Sequence, residues 1–331
     1  MGALHYFFLL YILAYLVGYQ IVWAHRYVLS AVPKGSLRVS LQAPSQRTPS
    51  GLLPYCDTYN GNATSLKRYP CTYYDQNFVL LPSNIGDNSM FITTRITESN
   101  QDLMPNCSIE EYNCSYVTLS NHTTYIPDIE DFTVLLDHFM FTVQPDYQAL
   151  GRQLSGKIVG SDGKEIPLSP GEVVGVKDEY DILKVSTILK AAGVKSLDEP
   201  AYNDTDSKRY QGLVLVLLVN YTNMHTFSLS KLEYFFSAIV IDGAFFKFEQ
   251  TIYSKSIEER VVWNRHGIRL VIIPTGNYGA FDFQTVLVTF VSGLGLVSVS
   301  TAVVEVIALW VIPQKKRFRK EKITETSLKP D

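Results

Sequence analysis

The chain of 331 residues is poor in the residues that do chemistry: it has four cysteines and six histidines. Cys56, Cys71, Cys107 and Cys114 form no Cys-x-x-Cys, and the histidines form no His-x-His or His-Glu-x-x-His, so no metal site is expected. Gly-x-Ser-x-Gly and Gly-x-Gly-x-x-Gly are absent too. Gly160-Ser161-Asp162-Gly163 reads as a hairpin turn, and the Lys164 that follows does not complete a phosphate loop because the upstream glycine spacing is wrong. Scattered acids such as Asp128, Glu130 and Asp131 read as a solvated face rather than a catalytic pair. No internal repeat or low-complexity tract occurs, and nothing points to nucleic acid. Neither an enzyme nor a cofactor is expected.

The most informative shortage is of charge. Residues 285–312 contain no Lys, Arg, Asp or Asn and a single acid, Glu305. A run of that length spans a bilayer, and a lone carboxylate within one is costly enough to mark a functional, water-facing position. In its middle, Ser292-Gly293-Leu294-Gly295-Leu296-Val297-Ser298 supplies small residues suited to a pore wall or to close helix packing. Lys315, Lys316, Arg317, Arg319 and Lys320 follow at once. They place residues 313–331 on the cytoplasmic side, as a topology determinant in preference to a lipid-binding tail.

A second apolar block, residues 4–24, has no basic leader and no Ala-x-Ala cleavage site. It therefore reads as a retained membrane helix within residues 1–25, starting almost at the membrane. Tyr19, Trp23 and Tyr27 suit an outer interface. Two spans then put residues 26–284 outside or in a lumen. Six Asn-x-Ser/Thr sequons, at Asn62, Asn106, Asn113, Asn121, Asn203 and Asn220, and all four cysteines fall in that loop. Glycosylation and two disulfides follow; of the three pairings open to four cysteines, short loops favour Cys56 with Cys71 and Cys107 with Cys114. The basic tail masks a loop with an excess of six acids, since the whole chain carries a net charge of −3.

With 46% hydrophobic and 18% charged residues the chain is too apolar to be disordered, and the loop reads as β-rich. Residues 89–97 follow an 84–88 turn as a β-branched strand, and 131–140 is a second strand. The region 56–124 reads as a glycosylated, disulfide-tied lobe. Residues 182–194 form a helical pattern closed by Gly193. The apolar run 213–219 suits a strand buried on both faces; 235–253 and 267–274 supply further strands, the last feeding the second helix through Gly276-Asn277-Tyr278-Gly279.

These segments resemble the P2X receptors, ATP-gated cation channels. The likeness lies in Tyr11-Ile-Leu-Ala-Tyr-Leu-Val-Gly18 with Trp23, Asp87-Asn-Ser-Met-Phe-Ile-Thr-Thr94, Asp131-Phe-Thr-Val-Leu135, Gly267-Ile-Arg269, residues 276–282, Ser292 to Ser298, and Glu305. The resemblance implies two transmembrane helices flanking a large β-rich ectodomain, assembled as a homotrimer or as a heterotrimer with related subunits. It also implies a pore for Na+, K+ and Ca2+ in a plasma or organelle membrane, surrounded by lipid. Ser292, Gly295, Leu296 and Val299 share one helical face, which the resemblance makes pore-lining, with Glu305 further along the path. Many animal members carry six or more further cysteines, so this chain is a divergent relative.

In the family, ATP lies between subunits with its phosphates gripped by basic residues. Carried over, Thr133 matches the adenine-contacting threonine and Leu135 supplies apolar contact to the base. The Lys-x-Lys motif becomes Arg38-Val-Ser40 or, without a gap, Ser40-Leu-Gln42; Asn-Phe-Arg becomes Phe245-Phe246-Lys247. Ala280 stands for a lysine and Asp137 for a nearby basic residue. Arg38 and Lys247 are therefore the expected anion ligands. Each lost charge-assisted bond costs ~1.5–3 kcal/mol, so losing two weakens binding by roughly two to four decades.

Overall fold

The computed structural model describes residues 2–62, 66–82, 88–144, 146–202, 206–224, 231–254 and 256–310. The basic tail, Asn203 and most of the expected 84–88 turn lie outside them. The chain divides into two compact units, one built from the chain ends, Met1–Ala31 and Gly279–Asp331, the other from Val32–His225 and Ser230–Tyr278.

In the first unit, α1 (Gly2–Ala14) continues as a π-helical stretch, Tyr15–Trp23, before the short strand β1 (Val28–Ala31). The side chains register this wider winding: the Gln20 amide donates to the Tyr15 hydroxyl five residues back at 2.8 Å. The expected first span is thus helical from Gly2 to Trp23, but its regular α portion is only 13 residues long. At the other chain end the helix Phe283–Trp310 begins on an Asp282 cap, whose carboxylate accepts from the Thr285 N–H at 2.7 Å and hydroxyl at 2.6 Å. These bonds hold the Asp282 carboxyl below its usual range. Among the described residues, only the 25 residues Phe283–Ile307 are both long and apolar enough to cross a membrane.

The second unit holds two sheets. Its strands in chain order are β2 (Lys34–Gln42), β3 (Leu80–Pro82), β4 (Ser89–Leu103), β5 (Tyr116–Tyr125), β6 (Thr133–Thr142), β7 (Tyr147–Leu150), β8 (Ser155–Val159), β9 (Asp181–Lys184), β10 (Leu213–Thr222), β11 (Glu233–Ile241), β12 (Lys247–Tyr253) and β13, which runs as Glu259–Phe281. Helices α2 (Gln76–Val79), α3 (Val185–Ala191) and α4 (Lys208–Gln211) are short, and the long C-terminal helix is α5. The larger sheet runs β3-β4-β13-β10-β11-β8, with β5 against β4 and β12 against β13; the smaller runs β2-β6-β7, with β9 on β6.

β10 explains the core. Leu213, Leu215, Leu217, Val219 and Tyr221 are buried, while Val214, Val216 and Leu218 stay half-buried. The run is apolar throughout because neither face meets open water, although only one is fully enclosed. Each enclosed aliphatic side chain contributes about 1.5–3 kcal/mol. Residues 182–194 differ from the helical expectation at their start: Asp181–Lys184 pairs with β6 as a strand before α3 begins. β13 likewise continues through Gly276–Gly279, where a link was expected. Disulfides join Cys56 to Cys71 and Cys107 to Cys114. Beside the first, the buried Arg209 guanidinium bonds Asp198 at 2.6 Å and Glu130 at 3.3 Å and lies over the Tyr55 ring.

Candidate functional site

Strand alternation builds the outward face of the small sheet. β2 exposes Lys34, Ser36, Arg38, Ser40 and Gln42, and β6 turns Thr133, Leu135 and Asp137 the same way. The register sets Thr133 between Gln42 and Lys184, and Leu135 between Ser40 and Ile182. Thr133 and Leu135 therefore share one patch, with Arg38 one pair further along. Arg38 faces Asp137, and their ion pair of 3.2 Å joins a side chain 87% exposed to one 19% exposed.

Beside Thr133 lies a cleft of about 580 Å³, lined among others by Gln42, Ser45, Gln46, Asp131, Thr133 and Lys184. Lys184 Nζ stands 3.4 Å from Asp131, and its backbone N–H donates to Glu172 at 2.7 Å. An anion entering this cleft competes with Asp131 for Lys184, just as one reaching Arg38 competes with Asp137. A hydroxyl, two apolar side chains and two loosely held cations on one face suit a ligand with a flat apolar part and a negative part. Lys184 escaped the sequence reading because four strand residues run straight into a helix. Its only local signal is the two-residue alternation of Asp181-Ile182-Leu183-Lys184.

Lys247 stands apart from this patch within one chain. It begins β12 on the larger sheet, exposed and opposite His266. No ion pair joins it to Glu249 among the described residues. Phe246 packs against Phe91 and lies beneath Arg269, whereas Phe245 remains 50% exposed. Ala280 lies near the end of β13.

Within the helical unit the small residues of α5 separate into two roles. A Cβ on Gly293 would collide with Leu16, so this glycine allows the two helices to approach. Gly295 has open space, and Ser292, Leu296 and Val299 are exposed with it. Glu305 is half-buried two turns further on. Of the sequon asparagines, Asn62, Asn106, Asn113 and Asn121 are exposed. Asn220 lies half-buried within β10 and donates its amide to Ser237 at 3.0 Å.

Comparison with known proteins agrees with this architecture. Residues 223–325 match the family model described as ATP P2X receptor. P2X receptor E of Dictyostelium discoideum is 37% identical over 99% of this chain and 84% of its own length. P2X receptor A of the same organism is 37% identical over 100% and 88%. Among solved structures, a P2X receptor of the Gulf Coast tick, crystallised in the presence of ATP and Zn2+, aligns with a TM-score of 0.58 at 14% identity, covering 92% of this chain and 100% of that one. The chicken P2X7 receptor with the competitive antagonist TNP-ATP gives 0.57 at 15% identity, covering 93% and 99%.

Proposed function

Because the chain belongs to the P2X receptor family, we propose that it is one subunit of a trimeric, non-selective cation channel opened by extracellular or lumenal ATP or a related anion. The observation that carries this reading is the convergence of Thr133, Leu135 and Lys184 on one outward, half-buried face beside a cleft. In this reading Arg38 and Lys184 meet the anion from the small sheet, and Lys247 of a neighbouring copy meets it from the other side. The first helical stretch and α5 both cross the membrane, and the exposed Ser292, Gly295, Leu296 and Val299 line the path with Glu305. The acidic loop draws Na+, K+ and Ca2+ towards it. The membrane is the plasma membrane or that of an organelle.

A second reading, a non-conducting scaffold or adhesion subunit on the same fold, is favoured by Ala280 at the family's lysine position and by the engagement of Arg38 with Asp137. Whole-cell recording with ATP from micromolar to millimolar separates the two. The channel reading expects a current whose calcium permeability falls in Glu305→Gln. Silence that persists in the Phe245→Asn, Ala280→Lys double variant supports the scaffold.

A further inference from the structure

The strands that carry the candidate ligand face also carry a buried polar assembly on their other side. In β6, His138 points inward beside the outward Asp137; in β9, Asp181 points inward, three residues before Lys184. The side chains of His138 and Asp181 are 1% and 5% exposed. His138 Nε2 lies 2.9 Å from Asp181, and Nδ1 lies 2.6 Å from the Tyr221 hydroxyl. Tyr234 donates to both Asp181 oxygens, at 2.6 and 2.7 Å, and the Gly175 N–H donates at 2.9 Å. With Nε2–H donating to the carboxylate, Nδ1 is left to accept from Tyr221. Burial first, and Asp181 second, push both tyrosine phenols up, so both remain O–H donors.

The tyrosines belong to the other sheet: Tyr221 to β10 and Tyr234 to β11. These four side chains therefore bond the small sheet to the large one. Their surroundings are shaped to them, since a Cβ on Gly151 would strike the His138 ring and one on Gly156 the Tyr234 ring. The T-shaped contact of His138 on Tyr234, with centroids 4.5 Å apart, further restricts the imidazole. Beyond them, β10 runs parallel to β13 with Tyr221 opposite Gly276, and β13 ends at Phe281, two residues before α5 begins. The large sheet alone would need only apolar partners here, and a polar link is costly unless every group is satisfied.

We infer that the His138–Asp181–Tyr221–Tyr234 network is the positioning link that passes movement of the ligand-bearing strands to β13, and through the chain to the pore helix. The inference rests on the ligand-gated reading above. It assigns these residues to gating efficiency and not to ligand contact, because none of them reaches the outward face. The bonds are discrete and directional, so removing one partner weakens the coupling measurably.

The test is a set of full-length channels carrying Tyr221→Phe, His138→Gln and both changes, recorded beside the wild type with surface protein quantified. Tyr221→Phe removes one oxygen and retains the ring, so it is the variant least disturbing to folding. Each single change should raise the ATP concentration for half-maximal current, or lower the maximal current per surface subunit, by about 2- to 30-fold. Binding of trinitrophenyl-ATP should stay at the wild-type value, and the double variant should be no worse than His138→Gln alone. Wild-type currents in Tyr221→Phe and His138→Gln overturn the inference alone. A loss that tracks surface protein assigns the network to folding, and one that tracks nucleotide binding assigns it to the ligand site; either overturns the inference. A silent wild type overturns the ligand-gated reading and this inference with it.

Discussion

The two faces of β6 differ by one residue of register and by everything else. Thr133, Leu135 and Asp137 look outward, partly accessible and flanked by cations; Val134, Leu136 and His138 look inward and are buried. The same strand therefore presents an adjustable surface on one side and a fixed assembly on the other. Charge pairs differ accordingly. Arg38 with Asp137 is held at the surface, with the Arg38 side chain 87% exposed, where such a pair contributes about 0–1 kcal/mol. His138 with Asp181 is enclosed, where a missing partner cannot be replaced by water. A substitution on the outer face therefore disturbs the fold less than one on the inner face.

The strongest way to break that contrast is Asp181→Ala. It leaves Tyr234 O–H, Gly175 N–H and the His138 ring without their acceptor, at ~1–3 kcal/mol for each buried group left unpaired. A loss of at least about 3 kcal/mol in denaturant unfolding of the solubilised protein is expected. A change below about 1 kcal/mol would place Asp181 in the same class as the exposed acids.

Much of this arrangement was legible beforehand because it is local. The apolar run of α5, its lone Glu305 and the β-branched run of β4 announce themselves within single segments, and the two short disulfide loops agree with the favoured pairing. What escaped depends on partners distant in the chain. Asp137 cannot be seen to engage Arg38 until the β2–β6 register is known, nor Lys184 to flank Thr133 until β9 joins β6. His138 belongs to no metal-binding pattern in the sequence, and its partners Asp181, Tyr221 and Tyr234 come from three other strands. The π-helical stretch was hidden because an apolar run reads alike in α and π windings.

A smaller effect extends the comparison to the larger sheet. There Lys247 is exposed and His266, its register partner, is half-buried with Nδ1 3.2 Å from the Gln211 carbonyl. Burial first, then Arg95, lowers the His266 pKa from 6.5 to about 4. The unfolded chain takes up a proton below 6.5 while the folded one resists until about 4, so stability present above pH 6.5 is lost progressively as pH falls through that window. Unfolding midpoints measured at pH 7 and pH 5 should fall with acid in the wild type and fall less in His266→Gln. Equal slopes would mean that His266 meets solvent as freely as Lys247 does.

The smallest expected change in stability comes from Asp137→Asn on the outward face, and it separates stability from recognition. Removing the charge from a partner of an Arg38 side chain 87% exposed should alter unfolding by less than about 1 kcal/mol. The same change releases the guanidinium from its competitor. Part of a charge-assisted bond worth ~1.5–3 kcal/mol then becomes available to a phosphate, and half-maximal activation should move to lower ATP by a few-fold to about tenfold. Concentration–response curves for Asp137→Asn, with and without Arg38→Gln, measure this, since the gain should vanish when Arg38 is absent. A weaker ATP response in Asp137→Asn would instead make Asp137 a ligand contact in its own right. The outward face would then be no more free to vary than the inward one.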